Sequence, residues 1–273
     1  MKLTCLVDNA VKPSSPYWGE HGLSFLIGAR DQRILFDTGA SGTVLLHNLA
    51  VERTSPRDIS ALALSHGHYD HTGGLVALLP LRPGLPIHAH PGILRERFAR
   101  QGEKLRSIGL PMDANLLREQ AHLHLSREPQ EIGPGVWTTG EIGARMEPEG
   151  RGEGHSIREG ESWIPDPYED DMALVLQGTE GLVLLCGCCH AGLLNTLHHV
   201  QRAFREYPKV IIGGTHLVAA DEQHIRHVVG RLQQMGFSAL YPNHCTGQAA
   251  YVALALALGS RVSPYPAGSV LTV

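Results

Sequence analysis

The sequence predicts an α/β fold, and three observations carry the expectation. Short apolar runs bounded by turn residues alternate with longer helical stretches. The last third repeats a strand–helix order three times. A dense polar run, Ser65-His66-Gly67-His68-Tyr69-Asp70-His71, lies between the apolar segment Ala61-Leu62-Ala63-Leu64 and a helical stretch. Open α/β sheets place their sites there, outside the carboxyl ends of the strands.

Lys2 to Val7, Leu23 to Gly28 and Arg33 to Phe36 read as strands. Ser41 is a suitable cap for a first helix carrying Val44, Leu45, Leu46 and Leu49. Ala61 to Ser65 reads as a short buried strand. Thr72 to Leu79 reads as a helix that Pro80 stops. A strand near Pro86 to His90 and a helix from Gly92 to Arg100 follow, while Gln101 to Gln120 has no clear period. Strands resume at His122 to Leu125 and Gly135 to Thr139. Met172 to Gln177 and Gly181 to Gly187 form a hairpin around Gly178-Thr179-Glu180. The closing pairs are the strand ending at Gly187 with helix Ala191–Phe204, Val210–Gly213 with Asp221–Met235, and Ala239–Tyr241 with Gln248–Leu258. The segment 143–171 is rich in glycine, proline and charge and reads as a long loop. Trp163 and Tyr168 favour a lid within one domain spanning 1–273, since disordered linkers are poor in aromatics.

Composition narrows the function classes. The chain of 273 residues is 42% hydrophobic and 18% charged, as soluble globular proteins are. A net charge of −4 argues against a basic nucleic-acid surface. No apolar run approaches the ~18 residues that suggest a membrane span. The N-terminal apolar stretch is shorter than the ~7–15 residues of a signal peptide. Cys5, Cys186, Cys188, Cys189 and Cys245 are odd in number and clustered, a poor disulfide framework that fits a reducing cytoplasm.

The polar run carries the chemistry. Three imidazoles and a carboxylate in such close company call for a cation, because unpaired buried polar groups are costly and a protonated cluster repels itself. Imidazole and carboxylate suit zinc and related divalent metals. In an extended segment His66 and His68 point the same way. Asp70 and His71 fall where the chain turns and can serve a second direction, which suggests two adjacent metals. His190 and His244 each follow a strand and precede a helix, and that recurrence makes both candidate ligands. His216, in Gly213-Gly214-Thr215-His216-Leu217, also follows a strand and is a candidate substrate contact or proton donor. His21 and Asp37 are weaker candidates, Asp37 as a carboxylate orienting a histidine. His88 and His90, His198 and His199, and His224 and His227 read as structural.

The run SHGHYDHTGG resembles the signature of the metallo-β-lactamase-fold hydrolases. With EHGLSFLI, ILFDTG, GCCHAGLLNT, GGTHL and NHCTG it resembles the branch of 7,8-dihydropterin-6-methyl-4-(β-D-ribofuranosyl)aminobenzene-5′-phosphate synthases. The resemblance implies an αββα four-layer sandwich. It implies one metal on His66, His68 and His190 and a second on Asp70, His71 and His244. It implies two divalent ions, zinc with iron or manganese as alternatives, and a small phosphorylated or pterin-like substrate. A metal-bound hydroxide would then carry out hydrolysis or group transfer, with Asp70 orienting it and His216 protonating the leaving group. Many members carry a bridging aspartate where this chain has Cys188. The thiolate, Asp170 or Asp171, or a water alone could fill that place. An iron-dependent oxidoreductase on the same fold and a sensor retaining the metal pocket are the other readings.

Overall fold

A seven-stranded and a six-stranded sheet pack face to face with helices on both outer sides, in a computed structural model that describes residues 1–152 and 154–273. The first sheet runs, edge to edge, Val270–Thr272, Lys2–Val7, Ser24–Ala29, Gln32–Phe36, Ile59–Ala63, Leu85–Ala89 and Ala121–Leu125. The second runs Ala239–Asn243, Val210–Gly214, Gly181–Cys186, Ala173–Gly178, Val136–Thr138 and Glu131–Gly133.

Alternation along the strands builds the layers. Ile34 and Phe36 meet Leu174, Val183, Leu185 and Ile212 in the core between the sheets. Leu35 and Leu62 face the other way, onto Leu45 and Leu49 of helix Gly42–Val51 and Leu75 and Leu78 of helix Leu75–Leu81. On the second sheet Leu182, Leu184 and Cys186 face Leu194, Leu197, Val228 and Leu254. These belong to helices Leu193–Phe204, Glu222–Gln233 and Gln248–Leu258. This is the αββα sandwich.

Parallel pairing sets the site. Gln32–Phe36, Ile59–Ala63 and Leu85–Ala89 run parallel in one sheet. Gly181–Cys186, Val210–Gly214 and Ala239–Asn243 run parallel in the other. Asp37, the His66–His71 run, Cys188 to His190, His216 and His244 all leave the carboxyl ends of these strands.

Three sequence expectations are corrected. Helix Thr72–Leu79 is two pieces, Tyr69–Thr72 and Leu75–Leu81. Gly73 and Gly74 separate them, because the backbone of Thr38 and Ala40 passes so close that no side chain fits at either position. Pro80 lies inside the last turn of the second piece, where one missing backbone bond is tolerated. Gly92 to Arg100 is not a helix but a short 3₁₀ turn, Pro91–Leu94, followed by strand Arg97–Gln101. The segment 143–171 contains strands His155–Glu159 and Ser162–Pro165. These pair with Arg97–Gln101 and Lys104–Ser107 in a third sheet of four strands.

A buried ion cluster ties this small sheet to the metal run. Arg97, 1% exposed, donates through Nε to Asp166 at 2.9 Å and through Nη2 to Asp170 at 2.6 Å. Asp170 in turn accepts from the Gly67 amide at 2.8 Å. A Cβ at residue 67 would stand 2.6 Å from Arg97 Nη1, so only glycine fits between His66 and His68. Removing one member of a buried charge cluster leaves the others uncompensated. Arg97→Ala is therefore expected to lower unfolding free energy by about 3–5 kcal/mol in urea titrations, far more than an exposed arginine.

Candidate metal centre

Asp37 is the innermost fixed group. It is fully buried at a positive φ of 59° and accepts three hydrogen bonds. The Ser65 amide donates to Oδ1 at 2.7 Å, and Ser65 Oγ and His71 Nδ1 donate to Oδ2 at 2.7 and 2.6 Å. Because the Ser65 hydroxyl hydrogen goes to Asp37, its oxygen is left to accept from His66 Nδ1 at 2.9 Å. One carboxylate thus places the Nδ1 proton of both His66 and His71 and leaves Nε2 of each to face the centre.

The other sheet does the same by different means. His190 Nδ1 donates to the Gly150 carbonyl at 2.8 Å, and its buried Nε2 has no partner among the described residues. His244 Nδ1 donates to Asn9 Oδ1 at 3.0 Å, while its amide donates to Asp8 at 2.8 Å. His68 presents Nδ1 inward, 3.0 Å from His66 Nε2.

The inward atoms form two groups. Those of His66, His68 and His190 lie within 4.8 Å of one another. In the second, His71 Nε2 is 3.1 Å from His244 Nε2, and Asp70 Oδ2 is 3.7 and 3.4 Å from those nitrogens. Ligands about 2.0–2.2 Å from a tetrahedral ion stand about 3.3–3.6 Å apart, so the spacing suits a small divalent cation. Cys188 Sγ sits 3.1 Å from His71 Nε2 and also groups with His66, so of the alternatives raised for the bridging place it lies within reach of both groups. Asp170 does not, since both its oxygens are engaged by Arg97 and Gly67. Asp171 accepts from the Ala191 amide at 2.8 Å and belongs to none of the close donor groups among the described residues.

Electrostatics agree with the hydrogen-bond pattern. Burial holds His66, His68 and His190 well below the usual histidine range, so they are neutral donors of a lone pair. Burial acts the same way on His71, but the charges of Asp37 and Asp70 outweigh it and hold that group at about 9. Burial opposes ionisation of Asp70, yet His71, His21 and His244 hold its carboxyl well below the carboxylate range. Without metal a proton fills the gap between His71 and its neighbours; a cation would displace it.

His216 also reaches the centre, its ring 4.1 Å from that of His190 and its φ positive at 47°. His21 is exposed at the mouth, with Nε2 3.3 Å from Asp70. Asp37, Tyr168, Cys189, His216 and His244 all have positive φ, a concentration of backbone strain at one place. Sequence reading assigns no site role to Asp8, Asn9, Ser65, Gly150 or His155, and marks Tyr168 only as an aromatic of the segment 143–171. Ser65 carried a local signal as the residue opening the histidine run. Tyr168 lies flat on His190, ring centroids 4.2 Å apart and planes at 6°.

The chain belongs to the metallo-β-lactamase superfamily, whose profile matches residues 17–185. It is 30% identical over 259 residues to 7,8-dihydropterin-6-methyl-4-(β-D-ribofuranosyl)-aminobenzene-5′-phosphate synthase of Methanocaldococcus jannaschii, covering 90% of this chain and 88% of the relative. It is also 30% identical over 244 residues to the uncharacterised protein MJ0448 of the same organism, covering 89% of each. Among solved structures, Tm1679, a metal-dependent hydrolase of the β-lactamase superfamily, superposes with a TM-score of 0.87 at 27% identity, covering 100% of this chain and 99% of that one. YhfI from Bacillus subtilis shares the fold at a TM-score of 0.61 and 13% identity. Among the described residues no helix is long and apolar enough to cross a membrane.

The role of Asp37 is open to test. Asp37→Asn should weaken zinc binding about 10–100-fold in chelator competition, the usual effect of losing a carboxylate behind a ligating histidine. In the metal-free protein, His71 has a folded-state value of about 9 against an unfolded value near 6.5. Its contribution to stability is full below about 6.5 and is lost as pH rises through about 9. Melting temperature of the metal-free chain should fall across that window, and the fall should shrink in Asp37→Asn.

Proposed function

We propose that this chain is a metal-dependent hydrolase or group-transfer enzyme acting on a small phosphorylated or pterin-like metabolite. One observation carries the reading. Four buried imidazoles spend their Nδ1 protons on outer acceptors and turn their other nitrogens towards one another. Nitrogens facing at 3.1 Å need a positive charge between them, a proton in the metal-free chain and a metal ion in its place in this reading.

In this reading His66, His68 and His190 hold one divalent ion, and Asp70, His71 and His244 hold a second. Zinc fits the imidazole-rich set; iron and manganese are the alternatives. Bound there, such ions lower the pKa of a water from ~15.7 to about 7 and draw charge from a phosphoryl or acyl oxygen. The protein's own part is orientation. Asp37 and Ser65 keep His66 and His71 in the ligating tautomer, and Gly150 and Asn9 do so for His190 and His244. Asp70, beyond its ligand role, directs the attacking water. His216 gives a proton to the leaving group. Cys188 closes the centre where a bridging carboxylate is usual. The segment 143–171, within one domain spanning 1–273, acts as a lid that brings Gly150 and Tyr168 onto His190. The substrate class rests on the name of the archaeal relative, which contains a dihydropterin, a ribofuranosyl group and a phosphate. That relative is a synthase, so transfer stands beside hydrolysis.

Purified protein from metal-replete medium should carry about two zinc per chain by elemental analysis, falling to about one in both His190→Ala and His244→Ala. Both variants should lose turnover of bis(p-nitrophenyl) phosphate. Unchanged metal in both variants would overturn the ligand assignment.

A further inference from the structure

The four-stranded sheet brings a second set of groups to the cleft, and the ligand assignment does not use them. The cleft has a volume of about 350 Å³ and is lined by His68, Asp70 and His190 on the sandwich side and by Ala99, Arg106 and His155 on the small sheet. Strand register explains the second trio. His155 pairs with Ala99, and Ala99 pairs with Arg106, so the three form one row on one face of the sheet. Directly opposed Cβ atoms are about 4.5–5.5 Å apart, so His155 and Arg106 stand about 10 Å apart. Ala99, the smallest side chain possible on that face, lies between them.

His155 has a fixed tautomer. Tyr168 is 1% exposed, so its hydroxyl hydrogen needs an acceptor. Its oxygen already accepts from the Gly152 amide at 3.1 Å, and His155 Nδ1 lies 2.8 Å away. Nδ1 therefore accepts from Tyr168, and the neutral ring carries its hydrogen on Nε2. Among the described residues Nε2 has no partner, and the residue lines the cleft. A Cβ at residue 152 would stand 2.6 Å from the ring's Nδ1, so glycine there is what lets the imidazole take this position. Arg106 lies over the ring of Tyr69, the residue between His68 and Asp70, at 5.4 Å from the centroid. Among the described residues no carboxylate comes within 4.0 Å of its guanidinium, in a chain whose net charge is −4. The row of His155, Ala99 and Arg106 thus offers hydrogen-bond donors and no carboxylate to the cleft, with Asp70 on the opposite side.

We infer that the row His155–Ala99–Arg106 is a phosphate-binding wall. His155 Nε2–H and the Arg106 guanidinium donate to the non-reacting oxygens of a phosphate ester whose other side meets the metal centre, and Ala99 leaves the room that group needs. Tyr168 is the positioning residue, acting through the His155 tautomer. The inference rests on the proposed function for the presence of a metal centre, and it adds which residues select a phosphorylated substrate. A cationic guanidinium and an oriented N–H donor of this kind are the electrostatic part of phosphoryl-transfer catalysis.

The test is titration of the zinc-loaded full chain with phenylphosphonate, a non-hydrolysable dianion, followed by calorimetry. His155→Leu and Arg106→Gln should each weaken binding about tenfold, as loss of one hydrogen bond to a charged group does. Ala99→Leu should weaken it at least as much by filling the gap. Zinc content should be unchanged in all three. Nitrogen-15 spectra should show one His155 tautomer in the parent and a mixture in Tyr168→Phe. Unchanged phenylphosphonate affinity in the three variants at full zinc content, or no binding by the parent, would overturn the wall. If the variants lose affinity but the parent turns over no phosphodiester, the wall stands and the hydrolase reading fails. If turnover is found and affinity does not respond, the wall alone fails.

Discussion

A buried carboxylate with its hydrogen-bond partners chosen for it is the constraint on which the rest of this molecule depends. Asp37 sits at the end of a central strand, without access to water, and is tolerable there only because three donors converge on it. Two of those donors belong to Ser65 and the third to His71. Satisfying the carboxylate therefore fixes the orientation of the histidine run, and through the Ser65 hydroxyl it also fixes His66. The fold supplies the position of Asp37, since strands Gln32–Phe36 and Ile59–Ala63 are parallel neighbours that release their chains at one edge. Fold and centre are thus joined by a single polar network, and neither half is satisfied without the other.

The opposite sheet reaches the same result without a carboxylate on the imidazole. His190 is oriented by a backbone carbonyl and His244 by an asparagine, with positive φ at His244 itself and at Cys189, the residue before His190. This asymmetry has an electrical consequence. The His71 side of the centre carries Asp37 and Asp70, whereas the His66, His68 and His190 side is neutral imidazole alone, so the two candidate metal positions differ in the charge around them. Cys188 lies between the two groups, a soft donor at the junction, and Cys245 stands close beside it and His244. The buried Arg97 cluster extends the same logic outward, fixing the Gly67 backbone through Asp170 and holding the small sheet over the cleft.

Much of this was legible in the sequence, for physical reasons. Strand Lys2–Val7 and helix Gln248–Leu258 match their expected limits because local pattern and tertiary environment agree there. The histidine run, His190 and His244 were legible because each follows a strand, and strand ends are where such sheets gather side chains. The small sheet was not legible. Its strand Arg97–Gln101 pairs with His155–Glu159, more than fifty residues away, and its pattern reflects a buried arginine rather than alternating apolar residues. Asn9 and Gly150 lie in loops and act through one side-chain or backbone oxygen, a role that leaves no period or spacing behind. Cys188 was visible as an oddity, and only the structure placed it against His71.

The central claim is that the inward nitrogens of this centre hold a pair of metal ions. The most direct test is a crystal structure of the zinc-loaded chain with diffraction recorded on both sides of the zinc absorption edge. The account predicts two anomalous peaks about 3.5–4 Å apart, one bounded by His66, His68 and His190 and the other by Asp70, His71 and His244. A chain that takes up no zinc, or a single peak bounded by Cys188 and Cys245, would contradict it.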